Sequence, residues 1–199
     1  MTFERLLLAG LATLQDPRKG ARAVIEQGFE MRASWTGLLL ISIVSALLSS
    51  VTVLALTGEA AVPALLLQPF ALAAVQFVAL AIAALLVFVI GRQFGGTGSL
   101  ADATALIVWF EVVFTAIQVL QVLISLALPT LGISFGLFTV LIFFWVLCHF
   151  IAELHGFQAI WKVLLGVLAS GFAVSLILAL ILIVLQSAGI ITGAGPTNA

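Results

Sequence analysis

The sequence predicts an all-α polytopic membrane protein, five transmembrane helices behind amphipathic amino-terminal helices that lie in the interface, and three observations carry that expectation. The 199-residue chain is 64% hydrophobic and 8% charged, with a mean hydropathy of +1.37, whereas a soluble domain is about half apolar and a quarter charged. Five apolar runs each reach the roughly 20 helical residues that cross a hydrocarbon core of about 30 Å. Finally, all seven lysines and arginines fall on one side of the bilayer once those runs are threaded across it. Arg5, Arg18, Lys19, Arg22 and Arg32 precede the first run, Arg92 falls between the second and third, and Lys162 opens the fifth. The positive-inside rule makes that side cytoplasmic, with the amino terminus inside and the carboxyl terminus in the periplasm.

Residues 1–32 read as a cytoplasmic amphipathic segment. Phe3, Leu6, Leu7, Leu11 and Leu14 recur at helical spacing, which suggests a helix in the interface plane. Its Glu4 and Arg5 precede the apolar stretch and no small-residue cleavage pattern follows cleanly, so the segment reads as an anchor and not as a cleaved leader. Asp16 and Pro17 supply an N-cap and a first-turn proline for a second short helix. On that helix Arg18, Lys19 and Arg22 are expected to meet anionic lipid headgroups.

Residues 33–187 hold the five-helix transmembrane domain, with runs roughly from Ala33 to Leu56, Leu66 to Ile90, Leu100 to Leu128, Gly132 to Ala152 and Ala159 to Leu185. The breaks contain Thr57 to Glu59, Arg92 to Ser99, Pro129 and Thr130, and Glu153 to Gln158. Each is too short to be a domain, and glycine and proline there stop one helix and turn the chain into the next. In the second break the glycines from Gly91 to Gly98 are expected to end the second helix and permit a tight return, while Ser99 and Asp102 form a capping box for the third. A phosphate loop is excluded, because Thr97 stands where a Walker motif requires lysine. Residues 188–199 carry no charge and read as a flexible external tail.

Polar side chains inside the runs are the candidate sites. Glu111 is expected near mid-membrane, about 13 to 16 Å along the third span. Thr115 and Gln118 share its face, and Gln76 reaches a similar depth on the second span. The favoured reading is a hydrogen-bonded clasp between helices; the rival is a proton or cation site, because an acid in hydrocarbon costs about 2.5 to 3.5 kcal/mol and needs a reason. Ser42, Ser45, Ser49 and Thr52 form one narrow stripe on the first span, and Gly166 with Ser170 form another on the fifth, both read as close-packing surfaces. At the cytoplasmic edge, Arg92, Asp102, His149, Glu153 and Lys162 are expected to form an electrostatic network, with Trp35 and Trp161 as interfacial anchors. His149, Glu153 and His155 lack the spacing that puts two imidazoles on one helical face, so no metal site is assigned. The single cysteine, Cys148, sits in an apolar run and reads as core packing. No cofactor and no nucleic-acid partner is implied.

The run Gly91-Arg92, Phe94-Gly95-Gly96-Thr97-Gly98-Ser99 and Asp102 resembles the Yip1 domain family. So do Asp16-Pro17-Arg18 with Ala21-Arg22 near the start, and His155-Gly156-Phe157-Gln158-Ala159 ahead of the last run. Their order extends the resemblance to short prokaryotic five-span members from about Leu6 to about Leu185. The resemblance implies a polytopic membrane protein without a known catalytic role, whose eukaryotic relatives are associated with vesicle traffic, membrane shaping and prenylated small GTPases. Five arginines against two lysines and an abundance of alanine suit a bacterial inner membrane. The expected role is therefore noncatalytic, membrane-organising or adaptor, with membrane lipids and another membrane protein as partners. The alternative is a small proton- or cation-coupled transporter or channel working through Glu111. An enzyme is not expected, for want of a nucleophile paired with a base. The oligomeric state is not encoded in any of these patterns.

The threading has a direct test. In a chain with Cys148 replaced, single cysteines at Glu59 and Thr197 should react with an impermeant thiol reagent outside sealed cells, and those at Gly95 and Gln158 should not. Reversed or equal labelling overturns the orientation.

Overall fold

The computed structural model describes residues 3–57 and 68–187, and its secondary structure there is helical throughout: α1 (Phe3–Gln15), α2 (Pro17–Ile25), α3 (Met31–Thr57), α4 (Pro69–Gln93), α5 (Leu100–Ala127), α6 (Pro129–His155) and α7 (Ile160–Ser187). Five of them, α3 to α7, are long and apolar enough to cross a membrane, and each overlaps one of the five runs read from the sequence, although Pro129 and Thr130, expected in a break, instead form the first turn of α6. The expected break at Gly58 and Glu59, the start of the second run at Leu66 and the tail at 188–199 lie outside the described residues. Met1–Ile160 forms one compact unit, and α7 beyond Ile160 belongs to a second.

Local chemistry sets the helix ends. Asp16 caps α2, its Oδ1 accepting from the Lys19 backbone N–H at 3.1 Å, with Pro17 in the first turn. Pro69 opens α4 and Pro129 opens α6, positions where a missing N–H costs nothing. Between α5 and α6 only Leu128 intervenes. α6 stops at Gly156, whose φ of +73° is the left-handed conformation glycine adopts freely. The expectation that Gly91 ends the second spanning helix is corrected: α4 continues through it to Gln93, and the left-handed turn is made by Gly95, at φ +84°.

Around α5 the first unit is organised. α3 lies parallel to it, with Gly37 against Val108 and Ser45 against Thr115. α4 runs antiparallel, with Gln76 beside Glu111 and Ala84 packed with Ile107. α6 returns along another face through a ring cluster in which Phe110 stacks on Phe114 at 4.4 Å and meets Phe143 edge-on at 5.0 Å. Consequently the starts of α3 and α5 and the ends of α4 and α6 share one end of the unit, called here the basic end because Arg32 and Arg92 lie there. Lipid is no less apolar than leucine, so these contacts hold by close packing and hydrogen bonds and not by the hydrophobic effect. That also explains the many exposed leucines and phenylalanines along the spanning helices.

The amino-terminal helices are fastened to this unit. α2 buries Pro17, Ala21 and Val24, and Ala21 and Val24 join the core of α5 and α6 with Leu106, Phe150 and Leu154. Its polar side is tied to Glu153, whose Oε1 accepts from Arg22 Nε at 2.8 Å and pairs with Nη2 at 2.7 Å. The carboxylate beside it raises the Arg22 guanidinium above its already high range. α1 packs on α2 where Thr13 fills the space left by Gly20. It meets α5 through Trp109, whose indole N–H donates to Thr13 Oγ1 at 3.1 Å, and through Gly10 against Val113. Val113 lies about 20 Å along α5 at 1.5 Å per residue. α1 thus leans on α5 well inside its length, a departure from a helix lying only in the interface plane. Leu7, Leu8 and Leu11 stay exposed on its other side.

Arg22→Gln should therefore loosen α2. With Arg22 more than half exposed the loss is small, read as a lower thermal midpoint in mild detergent. High salt should shrink the difference between variant and parent. An unchanged midpoint at low salt would show that apolar packing alone holds α2.

Candidate functional site

Polar side chains on α3, α4 and α5 meet in one seam. Gln76 Nε2 donates to Glu111 Oε1 at 3.0 Å. One turn further along α5, Thr115 Oγ1 and Ser45 Oγ share a hydrogen bond of 3.0 Å, and beyond it Gln118 Nε2 donates to Ser49 Oγ at 3.4 Å. The four expected residues are thus brought to one seam, but only Gln76 touches Glu111, while Thr115 and Gln118 turn to α3. Their partners Ser45 and Ser49 belong to the serine stripe read as a packing surface. The stripe and the acid are two sides of the same contact. Ser42 and Thr52, at its ends, instead return hydrogen bonds of 2.7 Å to the carbonyls of Leu38 and Leu48 in their own helix. Interhelical hydrogen bonds in membranes contribute on average about 0.6 kcal/mol each, so the three together supply about 2 kcal/mol.

Within the first unit, Arg92, Asp102, His149 and Glu153 are not paired with one another among the described residues, which corrects that part of the expected network. Glu153 is the centre of a cluster, but with Arg22 and with Arg18, whose Nη1 lies 3.9 Å away. Arg18 also donates through Nη2 to the Phe157 carbonyl at 2.8 Å. Two of the three cations expected to face headgroups therefore hold the fold together. Lys19, the third, is exposed and pairs with Asp16 at 3.0 Å; its ammonium and backbone N–H hold the Asp16 carboxyl below its ordinary range. Ser99 caps α5, its Oγ accepting from the Asp102 N–H at 3.1 Å, while the Asp102 carboxylate accepts from the Ser99 hydroxyl and not from its backbone N–H, so half of the expected capping box forms. His149 Nδ1 faces the Trp145 carbonyl at 2.6 Å within α6. Arg92 is exposed at the end of α4, and Lys162, in the second unit, lies 5.6 Å from the ring of Trp161.

His155 occupies a position that sequence reasoning missed. It is 3% exposed, at the end of α6, and reaches into the hairpin between α4 and α5. Its Nδ1 accepts from the Gly98 backbone N–H at 3.3 Å, and Nε2 lies 3.1 Å from the Val87 carbonyl. An acceptor at Nδ1 requires the proton on Nε2, so one neutral tautomer satisfies both contacts. The ring fits because Gly91 and Gly96 have no side chain: a Cβ at either would overlap the imidazole, and one at Gly98 would overlap Leu154. The glycines of this hairpin form a socket. No local motif could reveal it, since Gly98 and His155 are 57 residues apart.

A family model described as the Yip1 domain matches residues 11–183. The chain belongs to the Yip1 domain family. No curated protein and no solved structure shows a significant match. In this Yip1-family membrane protein, the segments that resembled the family separately become joined objects. Gly91 to Ser99 and His155-Gly156 meet as the histidine socket, and Asp16 to Arg22 is docked on Glu153 beside it.

The socket makes a sharp prediction about coupling. Gly91→Ala, whose added Cβ would strike the His155 ring, should cost about 1 to 3 kcal/mol by overpacking, and much less in a His155→Ala background, where that ring is gone. Gly95→Ala, where nothing lies within 4 Å but φ is +84°, should cost about 1 to 2 kcal/mol in either background. Thermal unfolding of the four combinations in detergent measures this, and strict additivity of Gly91→Ala with His155→Ala would refute the socket.

Proposed function

We propose that this Yip1-family protein is a noncatalytic membrane-organising or adaptor protein of a bacterial inner membrane, with its basic end and amino terminus in the cytoplasm and its carboxyl terminus in the periplasm. The observation that supports this reading is the pairing within the seam. Glu111, Thr115 and Gln118 each have a partner on a neighbouring helix, which is what a clasp between spanning helices requires. With the clasp holding α3 and α4 on α5, the ends of those helices present a fixed face to lipid or to another membrane protein, as an adaptor needs.

A second reading is favoured by one feature of the same site. Glu111 is an acid partly accessible within a spanning helix, and such groups commonly mark ion or proton paths. In that case the protein is a small proton- or cation-coupled transporter working through Glu111.

Two substitutions separate the readings. For a clasp, Glu111→Gln retains an acceptor for the Gln76 amide and should change the thermal midpoint little, whereas Glu111→Leu strands that amide at a cost of about 1 to 2 kcal/mol. Proteoliposomes of the parent protein should carry no proton or cation flux above empty vesicles. A reproducible flux that Glu111→Gln abolishes while stability is kept would overturn the clasp and establish the transporter.

A further inference from the structure

We propose that Arg32 and Arg92, with the exposed apolar side chains beside them, form the surface that binds anionic phospholipid headgroups at the basic end. This goes beyond the adaptor reading and holds whichever role Glu111 has. The pairing of the cations carries it. Arg18, Lys19 and Arg22 are engaged with Glu153 or Asp16, whereas among the described residues no carboxylate lies within ion-pair distance of Arg32 or Arg92.

Placement supplies the second argument. Arg32 sits in the first turn of α3 and Arg92 in the last turn of α4, two helices with the length and apolarity to span a bilayer and with these ends on the same side of the unit. Ends of spanning helices lie where headgroups lie, and basic residues there draw anionic lipid. Each arginine also stands beside large apolar side chains turned away from the protein. Phe94 is 73% exposed two residues after Arg92, and Phe29 and Met31 are 42% and 39% exposed just before Arg32. Aromatic and apolar groups next to a cation are suited to the boundary between acyl chains and headgroups.

The hairpin is held in a way that keeps Phe94 outward. Gly91, Gly96 and Gly98 are buried against His155 and Leu154, and the intervening Arg92, Gln93, Phe94 and Gly95 are exposed. The His155 socket therefore acts as a positioning device: it fixes the inner side of the hairpin and leaves a cation and an aromatic ring as its outer side. A phosphate oxygen is the complementary partner for a guanidinium, which matches it with two parallel N–H donors.

The test uses the full-length protein in mild detergent, titrated with phosphatidylglycerol or phosphatidylcholine and read by native mass spectrometry. The parent should prefer phosphatidylglycerol. Arg32→Gln and Arg92→Gln should each weaken that binding about five-fold and the double variant about thirty-fold at low salt, while Lys19→Gln changes it less than either. In a second measurement, a nitroxide on Phe94→Cys in a Cys148→Ala protein, reconstituted in phosphatidylglycerol-containing bilayers, should be relaxed more by oxygen than by an aqueous nickel chelate. This leaves both arginines in place and decides the matter even if the double variant fails to fold. Equal binding of the two lipids, an equal loss with Lys19→Gln, or a nitroxide relaxed mainly from water would each overturn the proposal. So would a double variant that keeps its lipid preference but loses a stoichiometric protein companion, which would assign the surface to that protein.

Discussion

A carboxyl group on a helix surrounded by hydrocarbon needs a hydrogen-bond donor, and meeting that need at Glu111 constrains much of the first unit. The amide of Gln76 supplies the donor, which draws α4 to one side of α5 at that level. The hydroxyl of Ser45 and the amide of Gln118 then continue the contact along α3. Apolar packing in a membrane discriminates poorly between neighbours, because lipid tails offer leucine a similar environment. Polar pairs do discriminate. A rotation of α3 or α4 that moved Ser45 or Gln76 off α5 would leave Thr115 or Glu111 facing chains that cannot replace the lost bond.

The basic end answers a different requirement, attaching short elements that have little surface of their own to bury. α2 has nine residues and contributes two side chains to the larger core cluster, so the Glu153 ion pairs add fixed anchorage at its polar side. The hairpin after α4 has even less, and His155 compensates by hydrogen bonding to backbone groups on both of its sides. Both devices use α6, whose last turn carries Glu153 and His155 on nearly opposite sides. That turn connects the amino-terminal helices, the hairpin and the spanning helices.

Such anchorage also changes which cations are available. A basic residue counts toward topology whatever it touches, but it can recruit lipid fully only when no internal carboxylate competes for it. Arg22 is consumed by Glu153, Arg32 and Arg92 are not, and the surface that faces headgroups is set by that division more than by the density of positive charge along the chain.

Much of this was legible in the sequence. The number and approximate extents of the spanning helices followed from apolar length, the α2 cap from Asp16 and Pro17, and the α5 cap from Ser99 and Asp102, because each depends on residues near one another in the chain. Residues of the polar seam could be chosen too, since a polar side chain stands out in an apolar run and helical spacing tells which ones share a face. Their partners could not: that Gln118 bonds Ser49 and leaves Glu111 to Gln76 depends on how three helices are rotated and offset. Likewise Glu153 could be seen to need a cation, but its choice of Arg22, 131 residues away, is a matter of docking. The Gly91, Gly96 and Gly98 socket is the clearest case. By sequence those glycines serve a turn, and only the tertiary structure, by bringing the end of α6 against the hairpin, makes their missing side chains the space that one imidazole fills.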